Sequence, residues 1–544
     1  MKKILCAVLS IALTLGLLAG CGDNGGSSSS AGTPSSTPSS TPSSTPNTPV
    51  EPAGPKKGGT LKIGLKSEHI HTMLSFDLTG AGVDYYYSWP VYESLFKPNA
   101  EGSVDPWLLE SYEMSKDDLT YTFHVRPGIT FSDGTPLDGE AVKWNLEHYL
   151  QVGAKVTALL SSIESVELVD DMTVQLNLST WSSILPYAFS RECGYMYSPT
   201  YYQANGEAHC EQNPCGTGPF VMTDWTYDVS KTFKARDDYW GGEVLLDEVQ
   251  YIIYTDALVA TAALQTGEID VYLAPDAETA DTMKANGASI NTGSVKSHSY
   301  QLCFNSLNTQ GNDPTGDLRV RQAICHAVNW EQLVDVVWGD YAIFRNQFGV
   351  GQYFYSDSVK GYEYDVEKAK QLLADAGYPN GFEIDFKTSD SAAMKNAATI
   401  IQQQLANVGI KCNLSILSGA DANKNEAGWG QGMWLHGSSV YVSAPMQMAS
   451  MFRQNLTGHV LGLTTLLRPD DVEAALALSV AAASEEEAIQ AVGEANRLLT
   501  DEYCIIYNFA EVGTLYAVNP YVKDSGIGAT FYSVADLANA WLDK

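Results

Sequence analysis

The side chains of this chain best suited to recognition chemistry gather in two stretches. One holds Trp429, Trp434, His436, Ser438, Ser439 and Tyr441; the other holds His69, His71, Tyr85, Tyr86 and Tyr87. Aromatic faces interleaved with small polar groups suit non-covalent binding, since they cover peptide side chains and also stack on sugar rings. About half of these aromatics are expected to belong simply to the core. His69 and His71, one residue apart, would face one side of a strand and could chelate a metal, with His436 as a third ligand. Two histidines alone are a weak metal signal, and no metal is expected. Arg345 follows Trp338 in a turn, where its fork suits a carboxylate. There is no Gly-x-Ser-x-Gly elbow and no His-Glu-x-x-His zinc motif. A secreted hydrolase is therefore the remote alternative; the expectation is a binder with no catalytic residue and no cofactor.

The N-terminus says where that binding takes place. Lys2 and Lys3 precede an apolar run from Ile4 to Leu18, too short to span a bilayer comfortably and flanked like an export signal. Leu18-Ala19-Gly20-Cys21 resembles a bacterial lipobox, in which cleavage before the cysteine leaves a lipidated N-terminus. Residues 1–20 are then a signal peptide and Cys21 the lipidation site. Residues 21–56, rich in Ser, Thr, Pro and Gly, bury too little apolar surface to offset their ordering entropy and form an extended linker. The expected location is extracytoplasmic, anchored by lipid to the cell membrane, at the cell surface or in a periplasm.

The body that follows, roughly 490 residues, is large enough for two or three domains. It contains no second long apolar run. The balance of 32 basic against 64 acidic residues offers no clustered cations for phosphate, which excludes nucleic acid as an expected partner. Of nine cysteines, Cys6 leaves with the signal and Cys21 carries lipid, so seven remain. Cys193, Cys210 and Cys215 lie close together in a chain destined for an oxidising space, and one disulfide among them is favoured, its pairing open. Zinc is the weaker reading there, because Cys-x4-Cys lacks a second matched pair. Cys303, Cys325, Cys412 and Cys504 sit in apolar stretches and read as small core residues.

The elements that must position these groups alternate. A strand opens the body at Gly58–Gly64. A strand pair fits Tyr121–Arg126 and Ile129–Phe131, joined through Pro127 and Gly128. Asp138 can cap a helix to about Leu150, and a hairpin follows from Ser165 to Val169 and from Val174 to Leu178. Later, Val249–Tyr254 is a strand, Ala257–Gln265 a helix ended by Gly267, and Ile269–Leu273 a strand. Asp365 caps a helix that stops at Gly377; Phe382–Phe386 is a strand, Ala392–Val408 a helix and Ile410–Ile416 a strand. Ser484 with Glu487 forms a capping box for a helix to Leu499. This order predicts an α/β body with a more antiparallel module near 100–215.

These residues resemble the family 5 solute-binding proteins of ABC importers. The likeness runs through Gly58-Gly-Thr-Leu-Lys-Ile-Gly64, Tyr92-Glu-Ser-Leu95 and Leu119-Thr-Tyr-Thr-Phe-His-Val-Arg-Pro-Gly-Ile-Thr-Phe-Ser-Asp-Gly-Thr-Pro-Leu137. It continues in Gly216-Thr-Gly-Pro-Phe220, Asp238-Tyr-Trp-Gly-Gly242, Leu264-Gln-Thr-Gly-Glu-Ile-Asp270 and Leu318-Arg-Val-Arg-Gln-Ala-Ile324. The last match is Tyr364-Asp-Val-Glu-Lys-Ala-Lys-Gln-Leu-Leu-Ala-Asp-Ala-Gly-Tyr-Pro-Asn-Gly-Phe382. The matches come in family order and cover nearly the whole body. The resemblance implies a periplasmic-binding-protein-like α/β fold, with two hinged α/β lobes and an inserted mixed α/β domain. Lobe I takes 57–92, 216–295 and 512–544, the insertion 93–215, and lobe II 296–511, with hinges near Val295–Asn305 and Ile505–Gly513. The implied function is capture of a solute, a peptide by preference, by a monomer that delivers it to a membrane permease and its ATPase. Members also carry oligosaccharides and metal chelates, which stay as alternatives.

The resemblance also assigns the site. In peptide-binding relatives a Gly-Trp…Asp segment of lobe II supplies an aspartate for the peptide's amino group. Trp429 fits the tryptophan and is the first expected contact, joined by Trp434, His436 and Ser438, with Tyr85, Tyr86 and His69 from the opposing lobe and Arg345 for a carboxylate. The aspartate position falls on about Gly432, and no acidic residue lies between Glu426 and Asp470. An unpaired ammonium buried in a closed cleft costs several kcal/mol. Either another carboxylate serves, with Glu68 and Asp84 as candidates, or the ligand is not held by an amino terminus. Arg319 and Arg321 read as structural.

Overall fold

The computed structural model describes residues 54–544 except 69, 79–83, 100–102, 153–156, 293–296, 350, 442, 454–460, 463 and 529–534. Side chains are also undescribed at 84–85, 157–158, 419–420 and 423. The expected signal peptide, Cys21 and the linker up to residue 53 lie outside the described residues. Pro55–Lys544 is one compact unit.

Its first layer is a seven-stranded sheet centred on Thr60–Leu65, where Leu61, Ile63 and Leu65 are all buried. That strand runs parallel to Glu248–Ile253 on one side and Val271–Leu273 on the other. Beyond Glu248–Ile253 come Ser230–Ala235 and Phe220–Thr226; beyond Val271–Leu273 come Tyr516–Val518 and Ser289–Asn291. The helix Ala257–Thr266 starts where the Asp256 carboxylate accepts from the amides of Leu258 and Val259, and stops at Gly267 in left-handed backbone, as expected of a glycine stop.

The second layer is a six-stranded sheet in the order Ala342–Phe344, Ile506–Val512, His298–Phe304, Met433–Ser439, Phe382–Ser389, Ile410–Leu417. Alternation decides which helices cover each face. Leu302, Phe304, Met433, Leu435, Tyr507 and Phe509 share a core with the helices Leu318–Ala327, Trp330–Trp338 and Ala392–Ala406. Cys303, Trp434 and Ile506 share one with Ala444–Phe452, Asp470–Ala481 and Glu485–Arg497. A four-stranded antiparallel sheet, Leu109–Ser115, Thr120–Val125, Thr173–Leu178 and Ile163–Asp170, packs on the helix Gly139–Val152 and interrupts the seven-stranded sheet in sequence. The chain goes from one large sheet to the other twice, between the strands Ser289–Asn291 and His298–Phe304 and between Ile506–Val512 and Tyr516–Val518.

Two expectations are corrected. Ile129–Phe131 is not a strand beside Tyr121–Arg126; Gly128 in left-handed backbone redirects the chain, and the Asp133–Gly134 turn folds Phe131 and Ile129 onto Thr135 and Leu137. The partners of Thr120–Val125 are Leu109–Ser115 and Thr173–Leu178 instead. Cys193, Cys210 and Cys215 are buried free thiols, with no disulfide among them. Each is part of the core shared with Tyr92, Tyr149 and Tyr197, where a thiol serves as a small apolar group.

Candidate functional site

Polar residues of one parity break the apolar run of the strand His298–Phe304 and define the site. Register sets Ser299 opposite Ser438, Gln301 opposite His436, and Cys303 opposite Trp434. A bulge at Tyr300/Gln301 pairs Gln301 with Asn508 on the other side. Ser299, Gln301 and Asn508 are fully buried, and burial of amides and hydroxyls is tolerable only when they are paired. They pair with one another. Ser299 Oγ donates to Asn508 Oδ1 at 2.6 Å, and Gln301 Nε2 donates to Ser299 Oγ at 2.6 Å and to Ser438 Oγ at 3.3 Å. His436 Nδ1 lies 3.1 Å from Gln301 Oε1, and its Nε2 lies 3.6 Å from Glu426 Oε1.

The helix Ala444–Phe452, buried along its whole length, extends the network. Gln447 Oε1 accepts from the Tyr441 amide at 2.6 Å, and Ser438 Oγ reaches Met451 Sδ at 3.7 Å. Facing Tyr441 from the segment that follows the four-stranded sheet, the Arg191 guanidinium stands 5.9 Å from its ring centroid and pairs with Glu192 at 3.1 Å. Val440, Met446 and Ala449 belong to the same continuous core as the seven-stranded sheet and the four-stranded module. This region thus gathers amide, hydroxyl, imidazole and aromatic groups, the types suited to non-covalent recognition. Among the described residues no group of three or more His, Cys, Asp or Glu could hold a metal.

The structure brings His436 and Ser438 together through Gln301. It ties Arg345 to them only by its backbone, since Asn508 Nδ2 donates to the Arg345 carbonyl at 3.1 Å while the guanidinium donates to the Phe344 carbonyl at 2.8 Å. Trp434 lies on the same sheet face, buried beside Cys303. Trp429 is 1% exposed, packed with Leu461 and Leu466, and its indole donates to the Gly432 carbonyl at 3.3 Å; its ring faces core, not open space. Beside the seven-stranded sheet Tyr86 is buried, edge-on to Trp89 and to Tyr516. His71 is exposed and stacks on Tyr227 at 5.0 Å. His69, and the side chains of Tyr85 and Asp84, lie outside the described residues.

Glu68, a substitute for the missing acidic anchor, is already engaged. Its buried carboxylate pairs with Lys231 and accepts from Trp225 Nε1 at 3.0 Å and the Asp228 amide at 2.7 Å. Lys231 Nζ in turn sits 3.9 Å from the Tyr87 ring and 4.2 Å from the Trp225 ring. Gly432 has left-handed backbone, and a Cβ there would collide with the Asp385 carbonyl, so no carboxylate can stand at that position. Ser299, Gln301, Asn508 and the Arg191–Glu192 pair were missed in the sequence. The signal for the first two was present, as polar residues of equal parity in an apolar strand.

Residues 103–458 match the family described as "Bacterial extracellular solute-binding proteins, family 5 Middle". The chain belongs to this family. It is similar to Heme-binding protein A of Haemophilus influenzae, 30% identical over 350 residues, which cover 59% of this chain and 63% of that protein. It is also similar to Glutathione-binding protein GsiB of Escherichia coli, 30% identical over 344 residues, covering 62% of this chain and 66% of the relative. The chain therefore matches just under two thirds of the length of these curated relatives. Among solved structures, the ABC transporter-associated periplasmic binding protein DppA from Helicobacter pylori, in complex with peptide STSA, superposes with a TM-score of 0.75 at 22% identity, over 90% of this chain and 99% of that one. That likeness gives the fold, an α/β arrangement of the periplasmic-binding-protein type, as a member of a family of solute-binding proteins.

Proposed function

We propose that this protein is the substrate-binding lipoprotein of an ABC importer, which closes two lobes on a solute, a peptide by preference, and delivers it to a membrane permease and its ATPase. The observation that carries the reading is the seam described above, where a satisfied polar network on one body meets an aromatic and charged set on the other, in a chain of a solute-binding family. Lobe I comprises 57–92, 216–295 and 512–544, the inserted domain 93–215, and lobe II 296–511. His436, Ser438 and Tyr86 line the cleft with Tyr441 and Arg191, and closure buries the solute between them as a population shift. Cys21 carries the lipid; Cys21→Ser should leave the body folded and move it from the membrane to the soluble fraction.

Gly432 favours a second reading. With no room for an acidic anchor there, the solute need not carry a free amine, which keeps an oligosaccharide or metal chelate in view. Mass spectrometry of the solute that co-purifies decides the class. Calorimetric titration with free and N-acetylated peptides then decides the anchor: similar affinities are expected, and a strong demand for the free amine would overturn that expectation.

A further inference from the structure

The helix Asp470–Ala481 ends without a cap of its own. Its C-cap, Ala482, turns to extended backbone, and the last turn holds no basic residue. A helix leaves its final carbonyls without intrahelical partners, and they must find donors elsewhere. Here three consecutive carbonyls find them on the four-stranded module. The Ser183 amide and hydroxyl both donate to the Val480 carbonyl, at 2.8 and 3.0 Å. Lys116 Nζ donates to the Ala481 carbonyl at 3.3 Å, and Trp181 Nε1 to the Ala482 carbonyl at 3.0 Å. The lysine also places a cation at the negative end of the helix dipole.

These donors are held ready by their own module. The Trp181 ring stacks on Tyr121 at 5.3 Å, and the Tyr121 hydroxyl donates to the Ser182 carbonyl at 2.8 Å, so the 181–183 segment keeps its shape without the helix. The contact is only partly sealed: Val480 and Ala482 are buried in it, yet space remains at its side. Beside it lies a cavity of about 230 Å³, walled by Trp181 and Tyr187 from the module and by Tyr353, Phe354 and Glu485 from the body of the six-stranded sheet. The joint therefore combines hydrogen bonds that water can replace with a small packed contact, Val480 in the module's core and the Tyr187 ring on Tyr353 and Phe354, next to unfilled space.

We infer that this joint is a latch on closure: the inserted module caps the helix Asp470–Ala481 only in the closed form, and so biases the ligand-free protein toward closure and slows release of the solute. The inference rests on the reading that the two lobes open and close. It makes Lys116, Trp181 and Ser183 positioning residues for capture, remote from the polar network that would touch the solute.

The test uses the mature chain without ligand. Nitroxide labels at Glu167→Cys and Gln490→Cys, both exposed positions, report the distance between the bodies by pulsed electron resonance. The triple variant Lys116→Met, Trp181→Phe, Ser183→Ala keeps a ring on Tyr121 and removes three donors. Its open-to-closed ratio should rise by about tenfold, as loss of a few solvent-exchangeable hydrogen bonds implies. Superimposable distance distributions for the two proteins would overturn the latch. Should the variant not melt cooperatively, hydrogen exchange of the parent decides. The Ser183 amide should exchange well before the amides of Thr120–Val125; exchange only together with them, at global unfolding, overturns the proposal. Both readouts are made on ligand-free protein, so failure to find a bound solute would touch the proposed function and leave these outcomes as they stand.

Discussion

Glu93 is the carboxylate whose surroundings govern it most strongly. It is 1% exposed and accepts from the Tyr239 hydroxyl and from Trp240 Nε1, each at 2.6 Å. Loss of hydration outweighs those two bonds and pushes its pKa up to about 7. The native state therefore binds a proton more readily than the unfolded chain does between about pH 4.5 and 7. Stability falls as pH rises through that window and is level above it, by roughly 3 kcal/mol at most. Glu93→Gln should flatten this fall, visible as a smaller difference between urea midpoints at pH 5 and pH 7.5 than in the parent. Parallel midpoints for the two proteins would refute it. At this same scale the sequence was readable in part. The stretch from Trp429 to Tyr441 announced itself by composition, but composition does not say which way a ring points. Trp429 went to the core because the strand Met433–Ser439 begins after it, and Gln301 and Asn508 emerged only with strand register, which pairs residues about two hundred positions apart.

Local elements were the most legible. Asp365 accepts from the Lys368 amide at its helix start, and Ser484 accepts from the Glu487 amide at 3.2 Å, both as their spacing predicted. The capping box closes one residue early, however, with the Glu487 carboxylate accepting from the Ala483 amide at 2.5 Å. Caps and glycine stops are decided within a few residues, so a sequence carries them whole. Three-residue strands such as Val271–Leu273 and Tyr516–Val518 exist because a neighbour from afar pairs with them; the first was legible in its apolar run, while nothing local marks the ends of the second. The entry to Met433–Ser439 is a sharp local constraint. Gly432 donates to Asp313 Oδ2 at 2.5 Å, accepts from the Asn305 amide at 3.0 Å, and leaves no space for a Cβ against Asp385. Gly432→Ala should cost about 3 kcal/mol, through left-handed strain and a backbone clash together. Thermal melts check it; a loss below 1 kcal/mol would mean the strand entry yields easily.

At the scale of the whole molecule, the two passages between the large sheets are joined to each other. The Thr514 amide donates to Ser297 Oγ at 2.7 Å, the hydroxyls of Ser297 and Thr514 meet at 2.5 Å, and the Val440 amide donates to the Ser297 carbonyl at 2.8 Å. The six-stranded sheet has cores of its own on both faces, while Val440, Met446, Ala449 and Val480 pack into the core of the seven-stranded sheet, so on the proposed reading a rotation about the crossing would part that packing too. The contacts that would part are the polar seam around Tyr441 and Arg191 and the capped end of Asp470–Ala481, and both are made here. On the proposed reading of two closing lobes, this geometry corresponds to the closed form. A closed body of roughly 490 residues should have a radius of gyration near 23 Å by size scaling. Small-angle scattering of the ligand-free protein should give a larger value than this. Addition of the co-purified solute to saturation should bring it down toward the closed value with no change in far-ultraviolet circular dichroism, because the lobes move as units while their helices and strands persist. If the scattering profile is the same with and without solute, the crossing at Ser297 and Thr514 is a rigid joint and not a hinge.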